Sequence, residues 1–285
     1  MEPLVSVVIP TYNRASLLIR AIESVFSQSY KNFEIIVVDD ASTDNTREVV
    51  SKFLDDPRVV YIRNEKNMGV SASRNRGIRY GRGEFVAFLD SDDYWLRDKL
   101  RKQVEIIMSD DDVGMVYTGE RFIDEEGRII RDEIPKYSGF VYHVLLSKNF
   151  ISPSSTLLRK EVFEKVGFFR EDMNYREDYE FFLRVAKNYK IAYVKDILTI
   201  RYMHTKGRLS DDISCRIMSI YKIMDLYKED FDKNRRSKSR QLYELGKLYT
   251  KIGDRKNAIH AFKESFVTYP NFNSILKLIK LFLGV

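Results

Sequence analysis

Glu84-Phe85-Val86-Ala87-Phe88-Leu89-Asp90-Ser91-Asp92-Asp93 reads as a buried strand that ends in a cluster of carboxylates. Hard carboxylate oxygens at such a point suit a divalent cation. A second acidic pair, Asp39-Asp40, follows a similar apolar run, Glu34-Ile35-Ile36-Val37-Val38. Open parallel sheets bind ligands in the crevice beyond the carboxyl ends of their strands. Two acidic strand ends in one sheet therefore imply a pocket for a nucleotide and a metal.

Working outward, apolar runs at Val5–Ile9, Glu34–Val38, Val59–Ile62 and Phe85–Leu89 alternate with helix-like stretches over Ala15–Ser27, Thr43–Leu54 and Ser71–Tyr80. That alternation predicts an α/β fold with a largely parallel sheet. Thr43 and Asp44 are expected to cap the second helix, and Gly81-Arg82-Gly83 to end the third through glycine's left-handed conformation. After Trp95 the pattern predicts a helix to about Met108, a strand over Val113–Tyr117 and a hairpin turn over Asp124–Arg128. Two further strands follow, at Ile191–Val194 and Ile197–Tyr202. From Leu209 the pattern is helical, with Ile213, Ile217, Ile220, Ile223 and Met224 on one face. The boundary falls near 205–210, giving an α/β domain over 1–207 and a helical extension over 208–285.

Within the extension, Leu242, Leu245, Gly246, Tyr249, Ala258, Phe262 and Pro270 match the spacing of one tetratricopeptide unit over about 239–270; a generic helical hairpin is the plainer reading. About three such repeats are needed for a free-standing array, so a single copy must pack on neighbouring helices. The last helix, Phe272–Leu283, carries Phe272, Ile275, Leu276, Ile279 and Phe282 on one face. Capping of the hairpin is its expected use, ahead of dimerisation or a membrane surface.

The net charge of +6 is uneven: residues 201–285 hold 18 Lys+Arg against 9 Asp+Glu, and residues 1–200 hold 30 against 33. A basic helical tail is either a solvated surface or a contact for an anionic membrane or a protein. One cysteine, Cys215, excludes an internal disulfide framework and a cysteine-rich zinc site. No run approaches the roughly 20 apolar residues that span a bilayer, and no secretory signal pattern opens the chain. The expectation is a cytoplasmic protein, soluble or peripheral at the inner face of a membrane.

Four motifs occur in one order: Val5-Ser6-Val7-Val8-Ile9-Pro10-Thr11-Tyr12-Asn13-Arg14; Asp39-Asp40-Ala41-Ser42-Thr43-Asp44; Asn67-Met68-Gly69 with Ser73-Arg74-Asn75; and Phe88-Leu89-Asp90-Ser91-Asp92-Asp93. As a set, covering about residues 4–205, they resemble glycosyltransferase family 2, whose catalytic domain has the GT-A fold. The resemblance implies an inverting transfer of a sugar from a nucleotide-diphosphate donor, UDP on family frequency, to an acceptor hydroxyl of a glycan, glycolipid or glycoprotein, as in polysaccharide biosynthesis. It places Asp40 on the base or ribose, with Pro10, Thr11 and Tyr12 lining the same pocket, and Arg74 on the nucleotide. Asp90 and Ser91 join the donor side, with Asp92 as ligand of Mn²⁺ or Mg²⁺. Asp39 either shares the nucleotide contact or braces its turn.

Asn174-Tyr175-Arg176-Glu177-Asp178-Tyr179-Glu180 matches the family's Glu-Asp motif at a helix start, which makes Asp178 the general base. The helix N-terminus favours its ionised form. Glu177 holds the acceptor or caps the helix. His204, in Arg201-Tyr202-Met203-His204, corresponds loosely to a late histidine that reaches the metal or diphosphate. Ile151-Ser152-Pro153-Ser154-Ser155-Thr156 falls where the family shapes its acceptor side, and Trp95 is either a wall for a sugar ring or core.

The residues exclude other classes. No glycine-rich loop follows the first strand, which argues against nucleotidyl transfer and against a dinucleotide-dependent dehydrogenase. No nucleic-acid motif or aromatic platform accompanies the basic tail. The remaining alternative is a degenerate domain acting through a helical protein-binding module.

Overall fold

A computed structural model describes residues 2–203 and 212–283. In chain order the elements are β1 (Val5–Thr11), α1 (Ala15–Phe26), β2 (Phe33–Asp39), α2 (Thr46–Ser51), β3 (Val59–Arg63), α3 (Val70–Tyr80), β4 (Phe85–Phe88) and β5 (Tyr94–Trp95). Next come α4 (Lys99–Ile107), β6 (Val113–Ile123), β7 (Ile129–Glu133), α5 (Tyr142–Ser147), β8 (Thr156–Arg159), α6 (Glu161–Val166), α7 (Glu177–Asn188) and β9 (Lys190–Tyr202). The remainder is helical: α8 (Ile213–Leu226), α9 (Lys228–Lys233), α10 (Arg235–Lys251), α11 (Arg255–Thr268) and α12 (Phe272–Leu283). The chain divides into two compact units. One holds Met1–Val141, Ile151–Asp172 and Glu177–Thr205; the other holds Tyr142–Phe150, Met173–Arg176 and Lys206–Val285.

All strands lie in one sheet of order β3-β2-β1-β4-β8-β6-β9-β5, with β7 paired to β6. The β3-β2-β1-β4 half is parallel, as the alternation predicts. Beyond it the sheet is mixed: β8 runs antiparallel to both β4 and β6, while β6 and β9 are parallel. The four residues of β8 are too few to show a period in sequence. The two strands expected at 191–202 are one continuous strand, β9, whose register against β6 shifts on both sides of Gly119. There the backbones approach so closely that a Cβ on Gly119 would lie 2.9 Å from the Asp196 carbonyl oxygen.

The strand runs are apolar on both faces because helices cover both. Val5, Val7 and Ile9 pack with Ile35, Val37 and Ala87 against Leu18, Ile22 and Val25 of α1 and Leu100 and Val104 of α4. Each such aliphatic side chain contributes roughly 1.5–3 kcal/mol by leaving water. Alternate residues face the other way, where Gly77 of α3 sits on Val8 and Val38.

The glycines after α3 serve close packing rather than a left-handed turn. Gly81 has φ −61° and ψ 136°. A Cβ on Gly83 would lie 2.6 Å from Ser6 N and 2.7 Å from the carbonyl oxygens of Leu4 and Phe85, all backbone atoms that cannot swing aside. Gly83→Ala is expected to cost at least about 1–3 kcal/mol, as overpacked sites do, read as a lower urea midpoint at unchanged m-value; an unchanged midpoint would contradict the close approach. The second helix starts later than expected, at Thr46. Asp44 serves two helices at once, its carboxylate accepting from Thr46 N at 3.0 Å and from Ala15 N, the first residue of α1, at 3.1 Å.

In the second unit α10 and α11 form the hairpin that the spacing implies, and Gly246 makes it possible. A Cβ there would lie 2.6 Å from the Phe262 ring. Asn234 and Asp254 cap the two helices by accepting from Ser237 N and Asn257 N, each at 3.1 Å. Ile217 and Ile220 of α8 pack with Leu245, Leu248 and Ala261, and Cys215 is a half-buried residue of α8. The last helix packs on α11, with Ser274 Oγ 2.9 Å from Ser265 Oγ, and Phe272, Ile275, Leu276 and Ile279 of its apolar stripe are exposed, Phe272 by 72%. These four residues therefore do not cap the hairpin, whose contact with the helix includes the buried Ser274 instead. Among the described residues no helix is long and apolar enough to cross a membrane.

Candidate active site

Pairing of β1 with β2 and with β4, all parallel, brings three carboxyl ends to one edge of the sheet. Thr11 stands opposite Asp39. The Thr11-Tyr12, Asp39-Asp40 and Asp90-Ser91-Asp92 segments leave the sheet there. The described residues include three non-glycine residues with left-handed backbone, and each lies in one of the motif loops: Asn13 at φ 52°, Ala41 at φ 63° and Arg176 at φ 61°. Such conformations cost about 1–3 kcal/mol each and collect at functional sites, where surrounding contacts over-determine them. Those contacts are visible around Asn13, whose N–H donates to Ser42 Oγ at 2.9 Å and whose Oδ1 accepts from Thr43 N at 2.7 Å.

Asp39 braces its turn. It is fully buried and accepts from Ser42 N, the Tyr61 hydroxyl and the Arg63 guanidinium at 2.8, 2.5 and 2.9 Å. Asp40, also buried, accepts from Met68 N and Gly69 N, each at 2.8 Å, and from Asn64 Nδ2 at 2.7 Å. Those bonds fix the loop that leads into α3. A carboxylate offers about four acceptor directions, so Asp40 retains one. Pro10 and Thr11 are buried, and Thr11 Oγ1 has no hydrogen-bond partner, whereas the Tyr12 ring is 45% exposed and open to stacking.

Arg74 is buried between two carboxylates, donating to Asp90 Oδ1 at 2.8 Å and to Glu177 Oε1 at 2.9 Å. Burial alone would lower its pKa, but the two carboxylates more than compensate and hold it charged. The guanidinium thus ties α3 to the end of β4 and the start of α7. Glu177 is committed to Arg74 instead of capping its helix. Ser91 is buried, while the Asp92 side chain is 26% exposed, with Arg14 at 3.8 Å and its own carbonyl oxygen accepting from Arg20 at 2.8 Å.

Asp178, half-buried in the first turn of α7, accepts from Tyr179 N at 2.7 Å. Its carboxyl is pushed up to about 7, mainly by desolvation and then by the charge of Glu177, against the opposing pull of Arg74. The expected helix-end stabilisation of the ionised form is therefore outweighed by desolvation, with the like charge of Glu177 adding to it.

A second layer escaped the sequence reading. Arg201 of β9 lies 3.5 Å from Asp93 and 3.8 Å from Glu120 of β6. Burial drives the Asp93 carboxyl well above the usual range, with Arg201 opposing and Asp92 and Asp90 adding to the rise. Burial likewise raises Glu120. Ser154 links this layer to the acid cluster: its hydroxyl donates to Asp93 Oδ2 at 2.6 Å and accepts from Asp90 N at 3.0 Å. The Ser152–Ser155 segment therefore supports the carboxylates from beneath. The available signal was an acidic residue inside a strand run, Glu120 in Val113–Ile123, which the fold buries. Trp95 is core: it is 2% exposed, its Nε1 donates to the Ser154 carbonyl oxygen at 2.7 Å, and Lys99 Nζ lies 3.9 Å over its ring. His204 lies outside the described residues.

Comparison with known proteins agrees with this geometry. The glycosyl transferase family 2 model matches residues 6–167. The chain is 31% identical over 207 residues to the Escherichia coli UDP-Glc:alpha-D-GlcNAc-diphosphoundecaprenol beta-1,3-glucosyltransferase WfgD, covering 73% of this chain and 78% of that protein. It spans a quarter to a third of the length of several longer relatives. In fold it is similar to S. aureus TarS in complex with UDP-GlcNAc, with a TM-score of 0.66 at 20% identity over 98% of this chain and 89% of that one. It is also similar to a mannosyltransferase of Pyrobaculum calidifontis in complex with GDP-Man and Mn²⁺, with a TM-score of 0.63 at 19% identity over 98% and 79%. A mixed sheet with acids at its parallel strand ends, the ordered motifs and these matches lead to one assignment: the chain belongs to glycosyltransferase family 2.

Proposed function

We propose that this glycosyltransferase moves a sugar, with inversion, from a uridine diphosphate donor to a hydroxyl of a glycan or lipid-linked acceptor, and that Asp178 is its general base. The observation that carries the reading is the placement of Asp178: a carboxyl near neutral pKa, joined through Glu177 and Arg74 to Asp90 at the acidic end of β4. A base whose pKa lies close to the working pH combines the right protonation state with the strongest driving force for proton transfer. In the step, the acceptor oxygen attacks the anomeric carbon, the bond from that carbon to the diphosphate breaks, and the hydroxyl proton passes to the Asp178 carboxylate. A single displacement inverts the centre.

The exposed Tyr12 ring and the free Thr11 hydroxyl suit a nucleoside, with Pro10, Asp40 and Ser91 shaping the same edge. Arg74 holds Asp90 and Glu177 in place, one terminal nitrogen on each, beside the donor edge. Asp90 and Asp92 fit a divalent cation: they are carboxylates with water access in a cluster whose mutual repulsion helps to raise Asp93. Mn²⁺ or Mg²⁺ held there would offset the negative charge that develops on the leaving diphosphate. Among the described residues no three Asp, Glu, His or Cys side chains form a complete metal site. Uridine is favoured by the name of the WfgD relative and the UDP-GlcNAc bound to TarS; the GDP-Man neighbour makes guanosine the competitor.

Thermal unfolding with UDP, GDP, dTDP and CDP, each with and without Mn²⁺, tests the donor side. Ligand at 100 times its dissociation constant is expected to add about 2.7 kcal/mol, for UDP and only with metal. A shift with GDP alone would reassign the base. No shift with any nucleotide would overturn the catalytic reading in favour of a degenerate domain.

A further inference from the structure

The helical unit contains a cleft of about 520 Å³ that no part of the transfer reaction uses. Lys233, at the end of α9, and Arg235 and Arg236, in the first turn of α10, bring three fixed positive charges to it, with Asn234 between the two helices. The 17-residue α10 directs the positive end of its dipole the same way. Several surface cations of the other unit are paired: Arg58 with Asp56, Arg101 with Glu105, Arg121 with Asp132 and Arg128 with Asp124. Among the described residues Lys233 and Arg236 have no such partner, and Arg235 donates to the Val267 carbonyl oxygen at 3.3 Å. Asp230 contributes the one carboxylate of the lining, half-buried and engaged in an interaction of its own.

The rest of the lining is not what a bare anion needs. Tyr142 is buried in one wall, and Tyr269, 45% exposed, stands with Pro270 in another. Flat apolar faces pack against the C–H surface of a pyranose, and the volume lies within the 300–1,000 Å³ usual for small-molecule sites rather than ion sites. We infer that this cleft binds a phosphorylated sugar, its phosphate held by Lys233 and Arg236 and its ring seated on Tyr269 and Pro270. Free sugar phosphates and phosphate-bearing units of a glycan share this chemistry. The inference is independent of the assignment of Asp178 and of the donor nucleotide.

Calorimetric titration of the 285-residue chain with glucose 1-phosphate at low ionic strength tests it. Binding is expected, with little or none for glucose, and added salt should weaken it because the cations are exposed. Lys233→Gln and Arg236→Gln should each weaken it about tenfold, the usual loss for a charge-assisted hydrogen bond, and Arg236→Lys should retain most of it. Both side chains are exposed, so the melting temperature of these variants should match that of the parent, confirming that they fold. Asp92→Ala, which alters the donor edge, should leave this titration unchanged. A glycerol phosphate oligomer, presented in parallel, should compete with glucose 1-phosphate if the source is a glycan. An affinity unchanged from the parent in both glutamine variants would overturn the site, and so would loss of binding in Asp92→Ala, which would place the sugar phosphate in the donor pocket. Capture on phosphatidylglycerol vesicles without any binding of glucose 1-phosphate would also overturn it, making the cations a membrane-facing surface.

Discussion

Replacing Asp178 by asparagine is expected to lower the turnover number by about 10²- to 10⁴-fold, the range that general-base catalysis supplies, while nucleotide binding stays within a small factor of the parent. The amide keeps the shape and still accepts from Tyr179 N, but it cannot take a proton. The parent should show kcat/KM falling as pH drops below about 7, because protonation of the base removes activity, and the residual rate of the variant should lack that limb. Stability should move the opposite way. The folded-state pKa is raised above the ordinary carboxylate value, so the folded protein binds more protons than the unfolded chain between about pH 4 and 7. The wild type therefore loses stability as pH rises through that window. Asp178→Asn, with no charge to bury, should melt higher than wild type at pH 8 and alike at pH 4. Equal loss of nucleotide binding and turnover would remove Asp178 from the role of base.

The second large effect is expected at Arg74. Arg74→Met leaves Asp90 and Glu177 without their shared cation, and Glu177 is only 8% exposed. Breaking a buried pair from one side costs about 3–5 kcal/mol, and the low end applies because Asp90 keeps some access to water. Urea denaturation should show that loss, and transfer activity should fall with it, since the donor-side carboxylate and the Glu177-Asp178 turn are no longer held together. Arg74→Lys should not restore either property, because one ammonium cannot span two carboxylates that the planar guanidinium joins with separate nitrogens. Adding Glu177→Gln to Arg74→Met should recover part of the stability by removing the orphaned charge. A fully stable, fully active Arg74→Lys protein would show that the fork is not needed.

Both expectations concern residues that the sequence picks out for the site and whose work the fold then redefines. Arg74 is legible as a site residue because it lies in a motif, but a fixed positive charge near phosphates reads as a phosphate ligand. Only the folded structure, which brings Asp90 at the end of β4 and Glu177 at the start of α7 to Arg74, shows that its charge is engaged by both carboxylates. Asp40 follows the same pattern: its position marks a pocket, and its bonds to Met68 and Gly69 show that it also builds the loop. Asp93, Glu120, Arg201 and Ser154 could not be assembled from the sequence, since they stand up to 108 positions apart in the chain, from Asp93 to Arg201. Their meeting depends on β8 and β9 pairing with β6.

The sequence by itself determined the order of the parallel βα units, the helical extension, the acidic strand ends and the family motifs. These rest on local periodicity and on short spacings, which a chain displays before it folds. Only the tertiary structure decided the mixed half of the sheet, the burial that carries Asp178 toward neutrality, and the close approaches that make Gly83 and Gly246 necessary. It alone left Phe272, Ile275, Leu276 and Ile279 of α12 exposed and set three cations around a cleft. Burial, ion pairing and backbone contact are properties of residues distant in sequence, and no local pattern encodes the distances on which they depend.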